Sequence, residues 1–155
     1  MREIDKSFKN TFNDSGFRVK NTSWYRITED FIQVIHFQKS LYSDLYYLNV
    51  AIDVKPTEKI IYKPEYKFSV RLRADRIIQK DYLLQALDFK TPLCQAERNA
   101  NINAIIIDCV KFLDSISTWE QFKVALSNKH HAIHRAGIAV DFRQVLCNMD
   151  HLSYD

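Results

Sequence analysis

Apolar positions recur along this chain with two different periods, and the change of period divides it. Ile4, Phe8 and Phe12 stand four apart and predict one helical stripe. Asp14-Ser15-Gly16 closes that stripe, with a glycine free to take the left-handed position. Residues 24–27 and 31–37 are rich in aromatic and β-branched side chains and predict two strands around a tight turn at Thr28-Glu29-Asp30. Residues 46–54 alternate, with Tyr46, Leu48, Val50, Ile52 and Val54 on one side. A polar connection from Pro56 to Pro64 follows. Residues 66–73 then alternate again, with Tyr66, Phe68, Val70 and Leu72 opposite Lys67, Ser69, Arg71 and Arg73. Strands with one greasy and one wet side predict an antiparallel sheet that helices cover on one face only.

Beyond residue 75 the helical period takes over. Residues 81–87 predict a short helix. Thr91-Pro92 fits a cap followed by a first-turn proline, opening a long helix. Its buried stripe is Ile102, Ile105, Ile106, Cys109, Phe112, Leu113 and Ile116. Ser117-x-x-Glu120 resembles a capping box before a helix that turns Trp119, Phe122 and Leu126 inward. Residues 130–149 predict one more helix, or two if Gly137 breaks it. No repeat, low-complexity tract or linker interrupts the chain. The expectation is one α+β domain over residues 1–155, strand-rich at 17–75 and helix-rich at 76–150. It has two layers: a four-stranded, mainly antiparallel sheet with an N-terminal helix and a C-terminal helical tail.

Composition removes several classes of chemistry. The 155 residues contain only two glycines, Gly16 and Gly137, at opposite ends. Phosphate-cradling loops and the GxSxG elbow need glycines close together, so neither occurs, and no cofactor is expected. Cys94, Cys109 and Cys147 are odd in number and form no CxxC pair, which predicts small buried hydrophobes in a reducing compartment. The segment Met1-Arg2-Glu3-Ile4-Asp5-Lys6 carries both charge signs and no apolar core of a signal peptide. The longest apolar runs, residues 45–48 and 104–107, are far shorter than the ~20 residues a membrane helix needs. A soluble cytoplasmic protein is expected. With 22 Lys+Arg against 19 Asp+Glu the charge is +3, which neither demands nor forbids a nucleic-acid partner.

Gly16-Phe17-Arg18, Trp24-Tyr25-Arg26, the segment from Asp30 to Ser40, Tyr47-Leu48-Asn49-Val50 and Arg71-Leu72-Arg73 occur in order. Over residues 4–75 this series resembles the bacterial family labelled domain of unknown function 4304. The resemblance implies an α+β fold and a bacterial cytoplasmic setting, and it supplies no catalytic residue. From residue 76 onward it offers only a generic helical tail.

Two constellations carry candidate chemistry. His130 and His134 stand at the i, i+4 spacing that lets two imidazoles share a metal on one helical face. Asp141 or His151 could serve as a third ligand, but His131 stands where a metalloprotease helix carries its glutamate. Lys129 and Arg135 add positive charge that opposes a cation. A weakly basic helix end is the simpler expectation.

The second constellation is the uncovered sheet face. A two-residue turn at Glu29-Asp30 sets Arg26 opposite Gln33 and Trp24 opposite Ile35. Tyr25, Ile27, Ile32 and Val34 then share a core-like side, and Trp24, Arg26, Gln33, Ile35 and Phe37 share the other. Adding the wet sides of the later strands assigns Tyr47, Asn49, Arg71 and Arg73 to that second surface. Arginines beside rigid rings suit a binding hot spot and fit carboxylates or phosphates. The leading expectation is a non-catalytic protein-binding module, most concretely an immunity or antitoxin-type protein that occludes a cognate toxin. A nucleic-acid binder using the same face and a metal-dependent hydrolase built on His130 and His134 are the rivals.

Overall fold

The computed structural model describes residues 3–134, 136–139, 142–144 and 148. Its centre is an antiparallel sheet in which strand order follows chain order: β1 (Arg18–Lys20), β2 (Ser23–Ile27), β3 (Phe31–Lys39), β4 (Tyr46–Val54), β5 (Val70–Arg73) and β6 (Gly137–Ile138). The sheet thus has six strands rather than the expected four. The two additional ones are edge strands of three and two residues, too short for any alternation to be read.

The β2–β3 hairpin takes the register that its two-residue turn dictates, with Trp24 opposite Ile35 and Arg26 opposite Gln33. Thr28 N–H closes it by donating to the Phe31 carbonyl at 2.9 Å. Across β3–β4, Phe37 faces Leu48 and Ile35 faces Val50; across β4–β5, Val50 faces Leu72. Strand β5 is shorter than its alternation suggested. Glu65–Lys67 form a single 3-10 turn, so Phe68 leaves the Val70–Leu72 side and joins the opposite face.

Helices cover one face. The N-terminal stripe is split into α1 (Glu3–Ser7) and α2 (Lys9–Asp14), with Phe8 at the joint. Gly16 ends it at φ 82°, the left-handed position foreseen for it. A short α3 (Asp81–Leu84) precedes α4 (Gln95–Asp114), which buries Ile102, Ile105, Ile106, Cys109, Phe112 and Leu113 against the sheet. The cap of α4 is Cys94, not Thr91: its Sγ accepts from Glu97 N–H at 3.4 Å. Cys94 is therefore exposed rather than a buried hydrophobe, whereas Cys109 is buried, and Cys147 lies outside the described residues. Burial, with Asp108 beside it, pushes the Cys109 thiol far up and keeps it protonated.

Helix α5 (Trp119–Ser127) opens one residue later than expected, with the reciprocal cap between Thr118 and Gln121. Asp30, in the β2–β3 turn, accepts from Trp119 N–H at 2.8 Å and so ties that helix to the hairpin. The tail is not one long helix: α6 (His131–His134) ends before Gly137, which lies in β6 paired with Val70 and Arg71, and residues 142–144 are helical again, nearer the expected two-helix alternative. Among the described residues no helix is long and apolar enough to cross a membrane.

Candidate functional site

The two sides of the sheet differ in what lies on them. The helix side carries the main core, including Trp24, Phe31, Ile35, Phe37, Leu48, Val50, Ile52, Val70 and Leu72. Gln33 is on that side as well, at 0% exposure, and Arg26 beside it is mostly covered. Four of the eight residues assigned to an open binding face, Trp24, Arg26, Gln33 and Phe37, thus lie beneath the helices. Tyr47, Asn49, Arg71 and Arg73 are on the opposite face, where the register sets Asn49 beside both His36 and Arg73, and Ala51 beside Arg71. The expected eight-residue surface is split in two.

Arg26 and Gln33 have structural employment instead. Gln33 Oε1 accepts from Arg26 Nε at 2.9 Å and from Nη2 at 2.7 Å, while Gln33 Nε2 donates to the Leu113 carbonyl at 2.8 Å. Arg26 also donates to the Ser15 carbonyl at 3.0 Å, stands over the Phe17 ring, and pairs with Asp114 at 2.7 Å. Asp114 is consequently an ion-pair partner rather than only a solvated helix edge. A guanidinium bonded to Gln33, to the carbonyl that follows α2 and to the carboxylate that ends α4 joins the sheet and both helices through one side chain.

The face away from the helices is partly covered by the segment of residues 55–69. Phe68, with Ile60 against it, packs on Tyr25, Ile32, Val34 and Ala51 as a second small core. Tyr25 OH donates to the Lys63 carbonyl at 2.8 Å, and Ser69 Oγ donates to Asp53 at 2.8 Å. Asp53 also pairs with Lys63. This strap covers the β2–β4 half and stops at the Glu65–Lys67 turn.

Beyond that turn lies an open cleft of about 500 Å³, lined by Gln38, Asn49, Glu65, Tyr66, Arg71, Leu72, Arg73, Asp75 and Arg76. Arg71 Nη1 donates to the Tyr66 carbonyl at 3.0 Å, and the Arg73 guanidinium stands 4.2 Å from the centre of the Tyr47 ring. Both side chains are therefore positioned before any ligand arrives. On the cleft floor Asn49 Nδ2 donates to Gln38 Oε1 at 2.8 Å and more weakly to Glu65 Oε2 at 3.3 Å. Burial raises the Glu65 carboxyl above the usual carboxylate range, against the pull of Arg71, the Asn49 amide and Arg73. Among the described residues no carboxylate comes within 4.0 Å of the Arg71 or Arg73 guanidinium. Arg76 has Asp75 at 3.9 Å.

Gln38, Glu65, Tyr66, Asp75 and Arg76 had not been singled out from the sequence. The spacing Arg71-x-Arg73-x-x-Arg76 was the available signal for a basic cluster. Pro64 before Glu65 was the signal that the strand pattern begins too early.

The histidine cluster is not the helical pair it resembles. Lys129 adopts φ 50°, which breaks the chain after α5 and leaves His130 ahead of α6. The His130 ring stacks on His131 at 4.8 Å and lies 5.6 Å from Phe112, and its buried Nδ1 has no hydrogen-bond partner among the described residues. Burial, followed by the neighbouring His131, lowers its pKa. His134 lies on α6, its side chain outside the described set, and Asp141, Arg135 and His151 are outside the described residues. Among the described residues no group of three or more His, Cys, Asp or Glu side chains could hold a metal. His36 behaves as a structural histidine, its Nδ1 2.9 Å from the Thr22 carbonyl oxygen and 3.0 Å from Ser23 Oγ.

No curated protein and no solved structure matches the chain. A family model does match, over residues 8–119, and so extends past the resemblance seen at residues 4–75. It takes in the whole of α4 and the start of α5, which makes the long helix part of the family domain rather than a generic tail. The chain belongs to the family described as Domain of unknown function (DUF4304).

Proposed function

We propose that this chain is a non-catalytic protein-binding module that docks an acidic partner surface in the Arg71–Arg73 cleft. One observation carries the reading. Two guanidiniums are held in place by a carbonyl and a ring, on the sheet face away from the helices, with no carboxylate among the described residues in salt-bridge contact. A fixed fork that has not yet met an anion loses little freedom on binding one. Tyr66, 63% exposed, supplies an aromatic surface beside it in place of the buried Trp24 and Phe37. An inhibitor that acts by occluding its target, as an immunity or antitoxin protein does in the cytoplasm, is the most concrete form of this role. The nucleic-acid alternative used the aromatics of the same face, of which Trp24 and Phe37 are covered and Tyr47 is left on the cleft side against Arg73.

Affinity capture from a lysate of the source cells tests the proposal, with the wild type and an Arg71→Glu/Arg73→Glu variant as baits after nuclease treatment. A protein retained by the wild type and lost with the variant is the expected result. Equal retention by both baits, with the variant's unfolding curve unchanged, removes the cleft from partner binding.

A further inference from the structure

The cleft contains unmatched charge of both signs. Arg71 and Arg73 stand along one side, with no carboxylate of the described residues in contact. Glu65, on the turn whose Tyr66 carbonyl Arg71 holds, is half-buried, and among the described residues it has no cation within 4.0 Å. Its hydrogen bond from the Asn49 amide is long, at 3.3 Å. A carboxylate drawn partly out of water without an ion pair is costly, whereas the exposed Arg71 and Arg73 are solvated and exchange that water for an anion on binding. Arg71 and Arg73 attract Glu65, and Arg71 reaches the Glu65–Lys67 turn itself, yet among the described residues neither closes into an ion pair with it. Arg71 is tethered to the Tyr66 carbonyl and Arg73 lies against Tyr47.

Resting on the cleft being the binding site, we propose that what enters it is dipolar: a small group of the amino-acid or short-peptide class. Its anion would meet Arg71 and Arg73, and its cation would meet Glu65. The bound group completes both half-pairs at once. A purely anionic group would meet Glu65 and Asp75 in the same cleft and be opposed by them. A purely cationic one would meet three arginines. The Asn49–Gln38 amide pair on the floor suits the neutral polar atoms of a peptide unit. A volume of about 500 Å³ is also in the range of small-ligand sites.

Calorimetric titration of the purified full chain at low ionic strength tests this, with three probes. They are the dipeptide Lys-Glu, succinate as the anion alone, and 1,5-diaminopentane as the cation alone. The dipeptide is expected to bind at least about tenfold more tightly than either half. Glu65→Gln should weaken the dipeptide about tenfold while strengthening succinate, and Arg73→Gln should weaken both. Circular dichroism and urea unfolding of each variant confirm that the fold is kept. Succinate binding as tightly as the dipeptide, with Glu65→Gln leaving that order unchanged, overturns the dipolar proposal and leaves a plain anion cleft that still fits an acidic partner. No heat from any probe also overturns it. The docking reading falls separately, when capture of the partner protein ignores Arg71→Glu/Arg73→Glu.

Discussion

The two faces of the sheet use the same residue types for opposite ends. On the helix face a guanidinium, Arg26, is enclosed by an amide, a backbone carbonyl, a ring and a carboxylate, and its hydrogen-bonding capacity goes into joining three elements. On the strap face Arg71 and Arg73 are exposed and each is held by a single contact. Aromatics divide likewise: Trp24 stacks on Phe12 at 4.5 Å with no exposure, while Tyr66 stands in solvent. An arginine beside a ring is thus not in itself a binding site. What matters is whether the rest of its donors are already engaged.

Substitutions can break or sharpen that contrast. The largest effect is expected for Trp24→Ala, which should lower unfolding free energy by about 3–5 kcal/mol in urea titration through the cavity it opens. Tyr66→Ala on the other face should stay within about 0.5 kcal/mol. Next comes Gln33→Leu. It strips Arg26 of its amide acceptor and leaves the Leu113 carbonyl only the long 3.3 Å bond from Ile116 N–H, at a cost of about 2–3 kcal/mol by the same measurement.

A third experiment uses pH. The His130 pKa is lowered by burial and then by His131, so the unfolded chain binds the proton more readily. Its contribution is intact above the unfolded histidine value of about 6.5 and is lost as pH falls through that value toward the folded one. Unfolding curves between pH 7.5 and 5 (about that range) should show this loss, and His130→Phe should flatten it. Glu65 has the opposite sense: its raised pKa favours the folded state at low pH, and that advantage disappears as pH rises through the folded value. Glu65→Gln should therefore make stability less pH-dependent in the acid range. The smallest stability change is expected for Arg71→Ala and Arg73→Ala, within about 0.5 kcal/mol each, although either should weaken partner capture.

The sequence made much of the fold legible but only half of the site. Alternation in β4 grouped Leu48, Val50 and Ile52 on one side, which is the side facing the helices, and the turn at Glu29-Asp30 set the β2–β3 register. The side facing the helices could not be read in β3, because Phe31 to Ile35 are buried on both faces, between the helices and the strap. Polar Arg26 and Gln33 then looked like an outward face. Their partners Leu113 and Asp114 lie eighty or more residues further along the chain, a proximity no local pattern contains. The cleft's acid, Glu65, was hidden for a related reason: a turn replaced the first half of an apparent strand.

The order of strands has a kinetic consequence. β1 to β5 follow one another as a meander, so each pairing closes a short loop, whereas β6 reaches β5 only after residues 74–136 have been laid down. Short loop closures cost less entropy and precede long ones. The β3–β4 hairpin, with nine paired positions, is expected to show high φ-values and the β5–β6 contact values near zero. Weakening β6 would then accelerate unfolding while leaving the folding rate nearly untouched.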